Sequence, residues 1–177
     1  MTKIVAAGHP ILSAKASLVP HEKIKGTEIA EVISRMKKTL ATEPLGVAIA
    51  APQIGESLRM FVVSGKVFQL RMGADAQPEP DRTYINPEIL KTSRKKKKMQ
   101  EGCLSVQSVD PKKMVWGTVE RAEKIKISAY DEHGMRFDHS ASGFLSQIFQ
   151  HEIDHLEGVL YTSKAVSVHE EFIKQAE

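Results

Sequence analysis

The chain has one cysteine, Cys103, among its 177 residues, which excludes an internal disulfide. A lone thiol then reads as a buried small hydrophobe, a reactive group or a metal ligand. Aromatic residues make up only 6% of the chain, and none interleaves the basic run Arg94-Lys95-Lys96-Lys97-Lys98, so that run offers no stacking platform for single-stranded nucleic acid. Lysine and arginine outnumber the acids by only 25 to 22, too small an excess to demand a polyanionic partner. The run itself reads as a solvated strand edge, where lysines discourage association. No apolar stretch approaches the roughly 18 to 20 residues of a bilayer-spanning helix. The start of the chain carries neither the apolar core of a secretion signal nor an arginine-rich presequence. These absences lead us to expect a soluble protein of a reducing compartment, with no membrane partner and no specific nucleic-acid binding.

What is present centres on Gln150-His151-Glu152-Ile153-Asp154-His155. Histidines four residues apart on a helix stand on one face and form a metal-binding pair. Glu152 lies about 100° round the helix, able to reach a metal-bound water without being a ligand. Structural zinc sites have four protein ligands, whereas hydrolytic sites keep three and leave a position open, so the location of a third ligand decides the chemistry. Cys103, in Glu101-Gly102-Cys103-Leu104-Ser105, is the candidate. His139 reads as a core or edge histidine instead of a fourth ligand.

Periodicity supplies the frame. From Thr27 to Leu40 the residues Ile29, Val32, Ile33, Met36 and Leu40 fall on one helical face, with acids early and lysines late to complement the dipole. Residues 1 to 24 read as an extended segment over the core, and Pro44 to Gly55 as a loop of small residues. Met60 to Val63 reads as a buried strand, residues 64 to 82 as an excursion or flexible loop, and Tyr84-Ile85 and Ile89-Leu90 as short strands. Lys124 to His139 alternates across Asp131-Glu132-His133-Gly134 as an antiparallel hairpin. A helix is expected to start within Ser140 to Gly143, burying Phe144, Leu145, Ile148, Phe149, Ile153 and Leu156, and to stop at Gly158. The capping-box spacing of Ser167-Val168-His169-Glu170 predicts a short tail helix.

Three stretches taken in order, Gly46-Val47-Ala48-Ile49-Ala50-Ala51-Pro52-Gln53, then Glu101 to Ser105, then His151 to His155, resemble the three motifs of the peptide deformylases. The first departs from the family pattern, G-x-G-x-A-A-x-Q, at Ala48, where the family has glycine. The resemblance implies an α+β fold of small antiparallel β-sheets packed around a central helix that carries the metal site, with residues 1–177 as one catalytic domain. It implies removal of the formyl group from N-formyl-methionine of nascent peptides, with release of formate. Cys103, His151 and His155 would hold one divalent metal, Fe²⁺ in the cell and Zn²⁺, Ni²⁺ or Co²⁺ as purified. Glu152 would move the proton, and Gln53 with the Leu104 backbone N–H would bind the oxyanion. Gly46, Val47, Ala48, Gly102, Phe144 and Gln147 would contact the substrate, and a transient ribosome contact and a bacterial-type cytoplasmic location follow from that role. Asp154, turned away from the ligands, would pair with a base such as Arg121. Two rivals are a metallopeptidase, since H-E-x-x-H also serves peptide-bond cleavage, and a deformylase-like binding protein with little turnover, which Ala48 brings into question.

Overall fold

The structure, a computed structural model, describes residues 2–72, 77 and 79–173. Its frame is a five-stranded antiparallel sheet ordered β1 (Ala48–Ala50), β2 (Met60–Val63), β3 (Arg82–Thr92), β6 (Lys124–Tyr130), β7 (Arg136–Ser142). A second, three-stranded sheet is ordered β4 (Lys96–Glu101), β5 (Lys113–Ala122), β8 (Ser167–Phe172). The helix α1 (Thr27–Ala41) covers one face of the larger sheet and α3 (Phe144–Leu156) the other.

That sandwich explains the sequence of β2. Met60 and Val62 pack with Ile29, Val32, Ile33 and Met36 of α1, while Phe61 and Val63 pack with Leu145, Phe149 and Ile153 of α3. A strand covered on both faces reads as a continuous apolar run, and all four residues of β2 are buried. On β6 Ile125, Ile127 and Ala129 turn towards α3, and between them lie the half-buried Lys126 and the buried Ser128. The predicted first helix, buried strand, hairpin and helix stop are all present.

Several expectations change. Residues 65–72 form a helix, α2 (Gly65–Met72), within the predicted excursion; Val67 and Phe68 pack on the sheet, and the Asp81 carboxylate accepts the Gly65 N–H at 2.9 Å. Its cap comes from a residue far along the chain, so local periodicity does not reveal it. Residues 73–76 and 78, also in that stretch, lie outside the described residues. The first motif is not wholly a loop, since Ala48–Ala50 pairs with β2. The two short strands around Asn86-Pro87 are one strand, β3, with a register shift between Ile85 and Glu88 and Asn86 at φ 51°. Ser140–Ser142 extends β7, and α3 begins at Phe144. Phe144 is 47% exposed, not part of the buried face.

The tail is the largest correction. Residues 167–172 are a strand, not a helix, paired with β5 from Lys113↔Phe172 to Thr118↔Ser167. Every residue of β8 is exposed, so no buried stripe favours helix, and pairing satisfies the open edge of β5 instead. The opposite edge is β4, where the lysine-rich run lies; Lys95 and Lys97 pair with Glu123, and Lys96 with Glu120.

Gly158 ends the segment that carries the histidine pair. It has φ +73°, and a Cβ there would stand 2.6 Å from the Ser13 carbonyl oxygen. Gly158→Ala is therefore expected to destabilise the fold by roughly 1 to 3 kcal/mol, the cost of a strained left-handed residue. A urea midpoint unchanged from that of the parent protein would show that the segment at Ser13 yields freely.

Candidate metal centre and active site

The helix α3 is anchored by Leu145, Phe149, Ile153 and Leu156 in the core, and its remaining faces carry the chemistry. Cys103 lies two residues past the end of β4 and comes up against the helix. Its Sγ and ring nitrogens of His151 and His155 all lie within 4.8 Å of one another. Sγ and His155 Nε2 are 3.2 Å apart.

A chain of buried charges orients these groups. Arg121 on β5 donates from Nε to Glu101 Oε1 at 2.7 Å and from Nη2 to Glu101 Oε2 at 2.9 Å. Its Nη1 donates to Asp154 Oδ2 at 2.6 Å, the pairing the sequence suggested. Lys164 holds the other Asp154 oxygen at 2.6 Å. Glu101 Oε2 also faces His151 Nδ1 at 2.9 Å. Burial would raise the Glu101 carboxyl, but hydrogen bonds from Arg121 and His151 prevail and hold it at about 2. An ionised Glu101 makes Nδ1 the protonated nitrogen of His151, which leaves Nε2 with its lone pair for a ligand. Glu101 was read from the sequence only as a motif letter. Arg121 was expected to pair with Asp154; that it also holds Glu101 follows from the burial of both, which the sequence does not show.

The residues fit a metal. One sulfur and two imidazoles converge, and His155 Nδ1 and Glu152 Oε2 are the buried side-chain atoms without a partner among the described residues. Burial pushes the Cys103 thiol up, yet the charge of His155 and the hydrogen bond from His151 outweigh it and hold the pKa well below the usual thiol range. A thiolate with two imidazoles suits zinc, iron, cobalt or nickel. Burial lifts the Glu152 carboxyl to about 7, against the pull of both histidines and with the push of Cys103 and Glu101. His139 stays apart: its Nδ1 is 2.9 Å from the Tyr84 hydroxyl, and its ring packs against Phe149.

A cavity of about 180 Å³ opens beside these groups, and every predicted site residue except His155 lines it. His155 lies beneath, 1% exposed. Gln53 is fixed by its own backbone turn: Oε1 accepts the Ala50 N–H at 2.8 Å, and Nε2 points to Ser105 Oγ at 3.3 Å and Cys103 Sγ at 3.5 Å. Gln147 donates to the Gln100 carbonyl at 2.6 Å. The cavity also takes in Leu45, Gln100, Met114 and Trp116, which the sequence did not single out, and Ile148, expected only as a core residue. Met114 and Trp116 alternate on β5, a strand absent from the sequence expectations. They close over Gly102, where a Cβ would sit 2.4 Å from Met114 Cε. Gly46 has a packing reason of its own, since a Cβ there would meet Leu40 Cδ1 and Glu43 Cβ at 2.9 Å. Ala48 is not among the positive-φ residues, so its backbone conformation is an ordinary one.

Two antiparallel sheets around a helix that presents two histidines, with a cysteine just past the end of an adjoining strand and a buried glutamate beside them, define the class as a metallohydrolase. Residues 1–171 match the family described as polypeptide deformylase. The chain belongs to that family, whose members are metal-dependent. A peptide deformylase of Pseudothermotoga lettingae is 36% identical over 159 residues, 90% of this chain and 80% of that protein. Peptide deformylase 1A of Arabidopsis thaliana, chloroplastic and mitochondrial, is 35% identical over 173 residues, 94% of this chain but only 62% of the longer plant protein. Among solved structures, the actinonin-bound class I type b peptide deformylase of Acinetobacter baumannii superposes with a TM-score of 0.78 at 30% identity, covering 93% of this chain and 98% of that one.

If Cys103 is the third ligand, Cys103→Ser removes the one soft anion from the set. The variant is expected to lose its metal on dialysis against a chelator, read by elemental analysis. Retention of a full equivalent would assign the ligand to another residue.

Proposed function

We propose that the cleft hydrolyses the formamide C–N bond of N-formyl-methionine at the start of newly made polypeptides, releasing formate and a free amino terminus. The observation that carries this is the convergence of Cys103, His151 and His155 beside Glu152, a carboxylate with an unpartnered buried oxygen. A divalent metal held by those three side chains would supply Lewis acidity, enough to bring the pKa of water at the site near neutrality. We expect Fe²⁺ in the cell, with Zn²⁺, Ni²⁺ or Co²⁺ in purified protein; the thiolate and imidazole donors support this set.

Glu152, with its pKa near 7, is suited to take a proton at Oε2 from the attacking water and return it to the leaving nitrogen. Gln53 Nε2, already turned towards Cys103, and the Leu104 backbone N–H donate to the oxyanion. Val47, Leu104, Phe144 and Gln147 surround the methionine side chain, and Gly46 to Ala48, which lead into the edge strand β1, pair with the substrate backbone. Residues 1–177 would act as one catalytic domain. None of the described helices is long and apolar enough to cross a membrane. Contact with the ribosome would be transient, and the bacterial-type cytoplasm would be the place of action.

The family match weighs against the alternative, a binding protein without turnover. Formate release from formyl-Met peptides by anaerobically purified protein tests the reading, and cleavage of an N-blocked peptide instead would point to a peptidase. Glu152→Gln should keep its metal while turnover falls roughly 10²- to 10⁴-fold, the span of a lost acid-base group. Full turnover with metal bound would end this mechanism.

A glycine can be kept for a backbone only glycine adopts or for want of a side chain; the ordinary backbone at Ala48 leaves the methyl group itself as the difference. Ala48→Gly is expected to lower KM for formyl-Met peptides, or to admit bulkier first residues, by about 1 to 3 kcal/mol of binding. Kinetics with formyl-Met and formyl-norleucine peptides check this. Identical constants in both proteins would make Ala48 a tolerated packing variant.

A further inference from the structure

The two outer strands of the three-stranded sheet are finished differently. β4 carries Lys96, Lys97 and Lys98, whose charges resist pairing with another chain. β8 has no lysine, arginine or proline, and all of its residues are exposed, Val168 at 50% and Phe172 at 67%. Among the described residues nothing pairs with its outer side. The Ile173 N–H donates to the Lys112 carbonyl at 2.8 Å, so by the alternation of an antiparallel ladder Ser167, His169 and Glu171 turn their backbone groups to β5. Val168, Glu170 and Phe172 hold theirs outward, and such a row is a template for a further strand. Side chains alternate in step. His169, opposite Trp116, and Glu171, opposite Met114, share the cleft face of the sheet, with Nε2 and Oε1 3.1 Å apart. Val168, Glu170 and Phe172 share the other face, where Ser108 Oγ donates to Glu170 at 2.9 Å and Lys113 Nζ lies 3.9 Å from it.

We propose that this edge binds a second copy of the chain, β8 against β8, about a two-fold axis that passes through the sheet at Glu170. Such an axis makes the pair antiparallel and keeps each face continuous, so even-numbered residues oppose even-numbered ones. The two longest registers then centre on His169 or on Glu170. Centred on His169, the strands set Val168 opposite the partner's Glu170 and Ser167 opposite the partner's Glu171, which gains nothing. Centred on Glu170, they set Val168 opposite the partner's Phe172 and His169 opposite the partner's Glu171, and each contact occurs twice. That register covers two apolar pairs and stands each imidazole between two carboxylates. The one like-charge pair, at the axis, joins glutamates that Ser108 and Lys113 already hold. The product is a six-stranded sheet with β8 inside it and both clefts open on one face. A ladder this short is a small interface, so the dimer comes and goes with concentration. The pairing is independent of the chemistry in the cleft.

Sedimentation of the metal-loaded protein over roughly 10 µM to 1 mM is expected to pass from monomer to dimer, the span of a weak interface. Val168→Lys, which gives β8 the protection that β4 has, should raise the dissociation constant about 10-fold or more. Glu170→Gln removes the like charges at the axis and should lower it about 2- to 5-fold. A short homobifunctional thiol reagent should join two chains of Glu170→Cys. It should fail with Val168→Cys, because the two copies of that residue stand about 14 Å apart. A monomer at every concentration, a dimer indifferent to Val168→Lys, or linkage at residue 168 instead of 170 overturns the proposal.

Discussion

Arg121 is the tie on which the site depends. Its guanidinium lies 4% exposed and donates to carboxylates from two different elements, Glu101 on β4 and Asp154 on α3. Burying an ion pair gains little net stability, because desolvation consumes much of the attraction. Removing one partner is another matter, since it strands a charge in the interior. Once folded, the protein is therefore committed to this arrangement, and the arrangement brings the strand that leads into Cys103 against the helix that carries His151 and His155. Glu101 passes the constraint on by fixing the tautomer of His151. Lys164 balances the second carboxylate, which leaves the thiolate and Glu152 as the negative groups that face the cleft.

The two helices share the work unequally. α1 seals one face of the large sheet and contributes no chemistry. α3 seals the other and, by burying Leu145, Phe149, Ile153 and Leu156, presents its histidines from a rigid support. A helix that carries both histidines, and a cysteine two residues past the end of a paired strand, suit a centre whose atoms must keep fixed relative positions. Gln53 reaches the same rigidity by a local route, because its carbonyl is tied to the Ala50 N–H three residues back.

The small sheet defines the edge of the cleft as much as the motifs do. Met114 and Trp116 can approach only because residue 102 has no side chain. The strand that bears them would be an open edge without β8, and β8 adds no core of its own. Pairing a wholly exposed strand to β5 extends the cleft face by one row, and it does so with polar side chains.

Periodicity and motif spacing determined the elements whose signal is local. These are α1, β2, the β6–β7 hairpin, the helix with its H-E-x-x-H pair, and the cysteine as a candidate third ligand. The resemblance marked much of the cavity lining before any fold was in view, but not Leu45, Gln100, Met114 or Trp116. Tertiary structure decided what depends on distant partners. Residues 167–172 could form a helix or a strand by their own composition, and the free hydrogen-bonding groups of β5 settled the choice. The α2 helix needs an acceptor from Asp81 and a sheet on which to lay Val67 and Phe68. Phe144, apolar and in phase with the helix's buried face, lines the cavity because the helix begins there. Glu101 and Arg121 are twenty positions apart, |i−j| = 20, and each looks solvent-exposed by composition. Only the fold, by taking both away from water, makes them a pair.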